Sequence, residues 1–309
     1  MNINQENINP FLNKYIPLID SICKEYHYNS NIKHLLYFII PGFIVKYGTS
    51  NESAILECFK KVKIYINDTH DKFITASFNR TLRKDSNGYY TDKYVVIKNY
   101  EGVSLPNLID NIVHEYNHAV NSLNNEISYD DKYIRVRTGL STLIYDKATM
   151  KFLEKSKEIS LEEVLNTTQT EEIIDIINSF GKFNIDNIEF SNMLYALKNE
   201  INGSKYTSEA YQYQKYICDE LIKNKTFTPT ISNLRFKGFI EDIPRLFDDV
   251  MGEDGKYKEL NKLLTEIHTL VIKYSKATLF KNRLLNKIRS KSHDVLALIK
   301  EYDSKCIFK

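Results

Sequence analysis

Between residues 9 and 47 apolar side chains recur at helical spacing, first Phe11, Ile16, Ile19 and Ile22, then Leu35, Leu36, Ile39 and Phe43, with Asn29 and Ser30 as a break between two helices. Residues 1–60 are therefore read as an N-terminal helical layer. The most apolar stretch, His34 to Gly48, is interrupted by Pro41 and Gly42 and falls short of the roughly 20 residues that span a bilayer, so it predicts a buried helix or helix pair and no stable membrane span. From Val62 the period drops to two. KVKIYIND, FITASFNRTL and YYTDKYVVIKN alternate and are rich in Ile, Val, Tyr and Thr, and Ser86-Asn87-Gly88 supplies a turn, so three strands are expected, two of them a hairpin.

The helical period then returns. Ser104 as N-cap and Pro106 in the first turn open a helix whose apolar face carries Leu108, Ile109, Ile112, Val113, Tyr116, Val120 and Leu123, ending near Asn124. DKYIRVRTGLSTLIYD predicts two strands with a break or bulge at Gly139, and a further helix runs from Ser160 towards Phe180. Beyond residue 190 helices are expected near 190–201, 206–224, 239–250, 255–275 and 276–304. The fold class is α+β, with a core over 61–180 and a helical lobe over 181–309 completing a cleft.

Composition narrows the partners. The 42 basic and 40 acidic side chains are spread along the chain and leave a formal charge of +2, which supplies no global field for nucleic acid or an anionic membrane. Seven Lys or Arg lie between Lys273 and Lys291 among apolar residues, a run read as a solvated helix face. Cys23, Cys58, Cys218 and Cys306 are far apart without a CxxC pair, which points to buried free thiols and away from a cysteine metal site. The first 15 residues lack the features of a secretory signal, so a cytoplasmic location is expected, with non-classical export as the other route.

The chemistry concentrates in His114-Glu115-Tyr116-Asn117-His118, in the middle of the helix that begins after Ser104. Residues four apart on a helix differ by about 40° in azimuth, so both imidazoles project from one face and can grip one ion. Zn²⁺ bound by three protein ligands keeps a position for water and lowers its pKa towards about 7. Glu115 stands beside the pair, where it can take that water's proton without being a ligand. Ile112, Val113, Ala119 and Val120 surround the trio with apolar residues.

After His118 the chain reads AVNSLNNEIS, with no third histidine in the HxxGxxH pattern. The HEYNH segment resembles the gluzincin metallopeptidases, and residues 60–180 are the part of the chain that the resemblance covers. It implies a zincin-like core, Zn²⁺ as cofactor, peptide-bond hydrolysis, and a glutamate from the next helix as the third ligand. In Leu161-Glu162-Glu163-Val164 that ligand is Glu163; Glu171, with Asp175 four residues on, is the other register. A capping box between Ser160 and Glu163 is the competing use of the first carboxylate. The resemblance also implies a substrate-pairing edge strand, placed at Tyr94–Asn99, and a later Tyr or His that stabilises the oxyanion. Tyr211 is taken for that role from a set that includes Tyr213, Tyr216, His268 and His293.

Asp110, one turn before His114, is a candidate for orienting an imidazole, though a solvated position is the simpler reading, and Glu126 is set aside as pointing away. The expected protein is thus a zinc metallopeptidase acting on peptides or proteins, with metal ligands His114, His118 and Glu163 and catalytic Glu115 and Tyr211. The alternative is a zinc-containing binding or regulatory module without turnover.

Overall fold

A computed structural model describes residues 3–67, 76–98, 103–155, 159–201, 216–217 and 227–306. The fold is mixed α+β, with two small sheets among helices. It divides into two compact units, each built of two stretches: Met1–Val120 with Gln169–Tyr206, and Asn121–Thr168 with Thr207–Lys309.

The first unit opens with α1 (Gln5–Asn13), α2 (Ile16–Tyr26), α3 (Ser30–Tyr47) and α4 (Glu52–Lys61). Asn29 caps α3 by accepting the Ile32 amide at 3.0 Å, so the expected break falls where its side chain is needed. Pro41 does not divide the apolar stretch, and α3 runs through it as one buried helix. The missing side chain of Gly42 lets Ile177 pack close to this stretch, since a Cβ there would lie 2.8 Å from Cγ1 of Ile177. Among the described residues no helix is long and apolar enough to cross a membrane. Cys23 and Cys58 are free and buried, and burial pushes the Cys23 thiol up to about 11; Cys306 is also free, and Cys218 lies outside the described residues.

The sheet of this unit has the order β1-β3-β2, from β1 (Lys63–Asn67), β2 (Ala76–Asp85) and β3 (Gly88–Lys98). The β2–β3 hairpin turns at Asp85–Gly88, as expected from Ser86-Asn87-Gly88. β1 pairs in parallel with the other side of β3, matching Ile64 to Val95 and Ile66 to Ile97. The expected edge strand at Tyr94–Asn99 is therefore corrected: through Lys98 it is the central strand, with both sides paired. Val95 and Ile97 alternate into the core, and α5 (Leu105–Val120) packs against β2 and β3.

The second unit carries an antiparallel sheet in the order β4-β5-β6-β7, from β4 (Ile127–Tyr129), β5 (Tyr133–Thr138), β6 (Ser141–Asp146) and β7 (Phe152–Lys155). The predicted two-strand element is its centre, turning at Gly139, whose φ is +53°. α6 (Ile159–Phe180) follows, its first part in this unit and its remainder in the other; α7 (Ile188–Ile201) belongs to the first unit. Then come α8 (Phe227–Lys237), α9 (Asp242–Met251), α10 (Lys256–Lys276) and α11 (Lys281–Cys306). Leu161, Val164 and Leu165 of α6 join Phe247, Leu264, Ile267, Val295 and Ile299 in one buried cluster. The helix expected at 206–224 falls almost wholly outside the described residues, and α8 was not anticipated.

α5 ends at Val120, four residues before the predicted end, because the chain turns inward there: Asn121 and Ser122 are fully buried. The Arg137 guanidinium, itself buried, donates to the carbonyls of Asn121 at 2.7 Å, Gly139 at 2.8 Å and Arg235 at 3.0 Å, and also to that of Asn124. These bonds satisfy carbonyls that a terminated helix and a tight turn leave without partners.

Candidate metal centre

The start of α5 is fixed by Ser104, whose carbonyl accepts the Leu108 amide at 2.9 Å and whose Oγ lies 3.4 Å from the Asn107 amide. Its rotation is fixed by Tyr116, which is 1% exposed, stacks on Phe59 at 4.2 Å between centroids, and donates its hydroxyl to the Val62 carbonyl at 2.6 Å. Helical geometry then sets the direction in which His114 and His118 project. Their ring centroids are 5.0 Å apart and the rings are nearly perpendicular, at 81°. His114 is half-buried, while His118 and Glu115 are buried, at 6% and 8% exposure.

α6 meets this helix through a buried polar contact: the Asn117 amide donates to Oε1 of Gln169 at 3.3 Å, and the Tyr47 hydroxyl bonds to Oδ1 of Asn117. Tyr116 and Asn117 thus dock the helix, while His114 and His118 carry the imidazoles. Near the start of α6, the half-buried Glu163 completes a group in which His114, His118 and Glu163 each offer one ligand atom, all within 4.8 Å of one another. A tetrahedral ion with bonds of about 2.1 Å needs donor separations of about 3.4 Å. Side-chain adjustments on the scale of an ångström separate the present spacing from that geometry, and two imidazoles with one carboxylate form a donor set that Zn²⁺ accepts.

The competing uses of these residues resolve differently. Ser160 lies inside α6, and its buried Oγ has no hydrogen-bond partner among the described residues, so the anticipated Ser160–Glu163 capping box is corrected. Glu171 and Asp175 are exposed and outside the three-residue group. Asp110 is half-buried and not solvated as the simpler reading had it: burial pushes its carboxyl up to about 6, His114 opposes that shift, and Glu171 and Glu115 add to it. Its charge therefore belongs to the surroundings of His114. Glu126 lies beyond the end of α5.

Tyr211 and Tyr213 lie outside the described residues. Of the other later candidates, Tyr216 and His293 are exposed. His268 of α10 is half-buried; burial lowers its pKa, and Glu163 works in the opposite direction. Sequence reasoning missed the support beneath Glu163. Its neighbour Glu162, 1% exposed, accepts the Leu140 amide at 2.7 Å and Nε of Arg235 at 2.8 Å, with a second bond from the same guanidinium. Arg235 is fully buried and also donates to Oδ1 of Asn166 at 2.9 Å. The partners are 73 residues apart, and no local signal links them. No protein-family model matches this chain, and neither does any curated protein or solved structure.

Proposed function

We propose that the chain is a zinc-dependent metallopeptidase of the gluzincin type with a zincin-like core, in which His114, His118 and Glu163 hold the ion and Glu115 is the general base. The observation that carries this reading is the convergence of three donors within 4.8 Å from a HExxH helix and the helix that follows it. When bound, zinc supplies Lewis acidity and a water of lowered pKa. Glu115, buried beside His114 and His118, takes the proton from the attacking water and delivers it to the leaving amine. Asp110 is a positioning residue whose carboxylate acts on the His114 ring. Tyr211 remains the proposed oxyanion donor; His268, coupled electrostatically to Glu163, is the second candidate. The substrate is a peptide or protein.

Two measurements on the full chain test this. Elemental analysis should find close to one zinc per chain, and less than about 0.2 per chain with no thermal stabilisation on adding zinc would overturn the metal site. A peptide-library digest then compares the parent with Glu115→Gln, which should retain zinc while losing at least about a hundredfold in cleavage. Zinc without cleavage in the parent would instead favour a binding or regulatory module.

A further inference from the structure

The turn between α10 and α11 places two large apolar side chains in solvent: Leu279 is 72% exposed and Phe280 is 76% exposed. Phe280 also has a φ of +59°, a conformation that a bulky aromatic residue rarely takes and that no burial of its ring offsets here. Ile272, one turn before the end of α10, is a further exposed aliphatic side chain.

The charge around this tip has one sign. Between Glu266 and Asp294 there is no acidic residue, while Lys273, Lys276, Lys281, Arg283, Lys287, Arg289 and Lys291 are basic. The first six are exposed; Lys291 is half-buried and ion-paired with Glu266 at 2.9 Å. In a chain with 42 basic and 40 acidic residues, such a segment departs sharply from the average. A groove of about 480 Å³ runs along the same two helices, where Lys273 and Lys287 stand with Leu270 and with the Glu266–Lys291 ion pair.

We propose that the α10–α11 turn docks on a bilayer surface containing anionic phospholipid. Leu279 and Phe280 enter the boundary between headgroups and acyl chains, and the lysines and arginines around them meet headgroup phosphates and carboxylates. The long aliphatic stems of those side chains let the charges stay at headgroup level while the tip goes deeper. Nucleic acid would satisfy the cations, but a duplex admits an apolar wedge only by unstacking its bases, whereas a bilayer takes up Leu279 and Phe280 without that cost, so the apolar tip favours lipid. The attachment is peripheral, in keeping with the absence of a spanning helix among the described residues.

The test uses the full chain and sedimentation with sucrose-loaded vesicles of phosphatidylcholine, either alone or with phosphatidylserine as about a third of the lipid. Pelleting is expected only with the anionic vesicles and should fall at high salt. Lys281→Ala with Arg283→Ala should lower partitioning about 25-fold, since each basic residue near such a surface contributes about fivefold. Leu279→Ser with Phe280→Ser should lower it at least tenfold, and because both side chains are exposed the thermal midpoint should hold. The chain has no tryptophan, so Phe280→Trp adds a single indole whose emission should shift to the blue on anionic vesicles. Absence of pelleting, equal pelleting by the parent and the serine variant, or an unshifted indole would overturn the proposal. So would capture by a DNA or RNA oligonucleotide in place of vesicles.

Discussion

Near the start of α6 two adjacent carboxylates are put to different uses. Glu162 is buried against Arg235 and the Leu140 amide, and Glu163 lies with two imidazoles. Removing one member of a buried ion pair leaves an uncompensated charge, so Arg235→Met should cost about 3–5 kcal/mol in urea unfolding. Glu162→Leu combined with Arg235→Met should cost much less than the two changes summed. Gly139→Ala attacks the same support from the other side: φ is +53° there, and the new Cβ would lie 2.1 Å from Oε2 of Glu162. That variant should lose stability and bind zinc more weakly, although no ligand has been changed. Asp110 adds a pH signature in the metal-free protein. Its folded value of about 6 lies above the ordinary 3.8, so its unfavourable contribution is absent at low pH, grows as pH rises through that interval and is complete above it. Asp110→Asn should flatten the stability profile between those values, which denaturation at stepped pH would read.

The elements divide by how local their causes are. α5 and the convergence of His114 with His118 were legible because a helix brings residues four apart together without help from the rest of the chain. Likewise, the Asn29 cap of α3 and the β2–β3 turn depend on a few neighbouring residues. The interior position of β3 was not legible: alternation shows a strand's faces but not its neighbours, and β1 reaches β3 only after the chain crosses over. α8 was missed because FTPTISNLRFK is rich in threonine and carries Pro229, poor helix signals that are overridden by burial of Ile231 and Arg235. Glu163 was reached through family resemblance, while Glu162, with a partner so distant in sequence, was not singled out. Close packing at this scale predicts that Gly42→Val, pressed against Ile177 and Ile173, destabilises by about 1–3 kcal/mol in chemical denaturation.

For the whole molecule, zinc should act as a folding ligand. At a free concentration about a hundredfold above Kd it should stabilise the native state by about 2.7 kcal/mol, an effect seen as a raised thermal midpoint and absent in His118→Ala. The stabilisation should fade as pH drops, because protons compete for the imidazole nitrogens. Global charge was a poor guide at this scale: a sum of +2 conceals a segment of seven basic residues without one acidic residue. α6 has a consequence of its own, because an unbroken helix has a rotational phase. Leu161, Val164 and Leu165 lock it into one core, and Ile173 and Ile177 press on Gly42 in the other. One alanine inserted between Gln169 and Thr170 would turn the segment that bears Glu163 by about 100° and displace it by about 1.5 Å. The expected outcome for the proposed centre is a lower zinc content by elemental analysis with His114, His118 and Glu163 all unchanged.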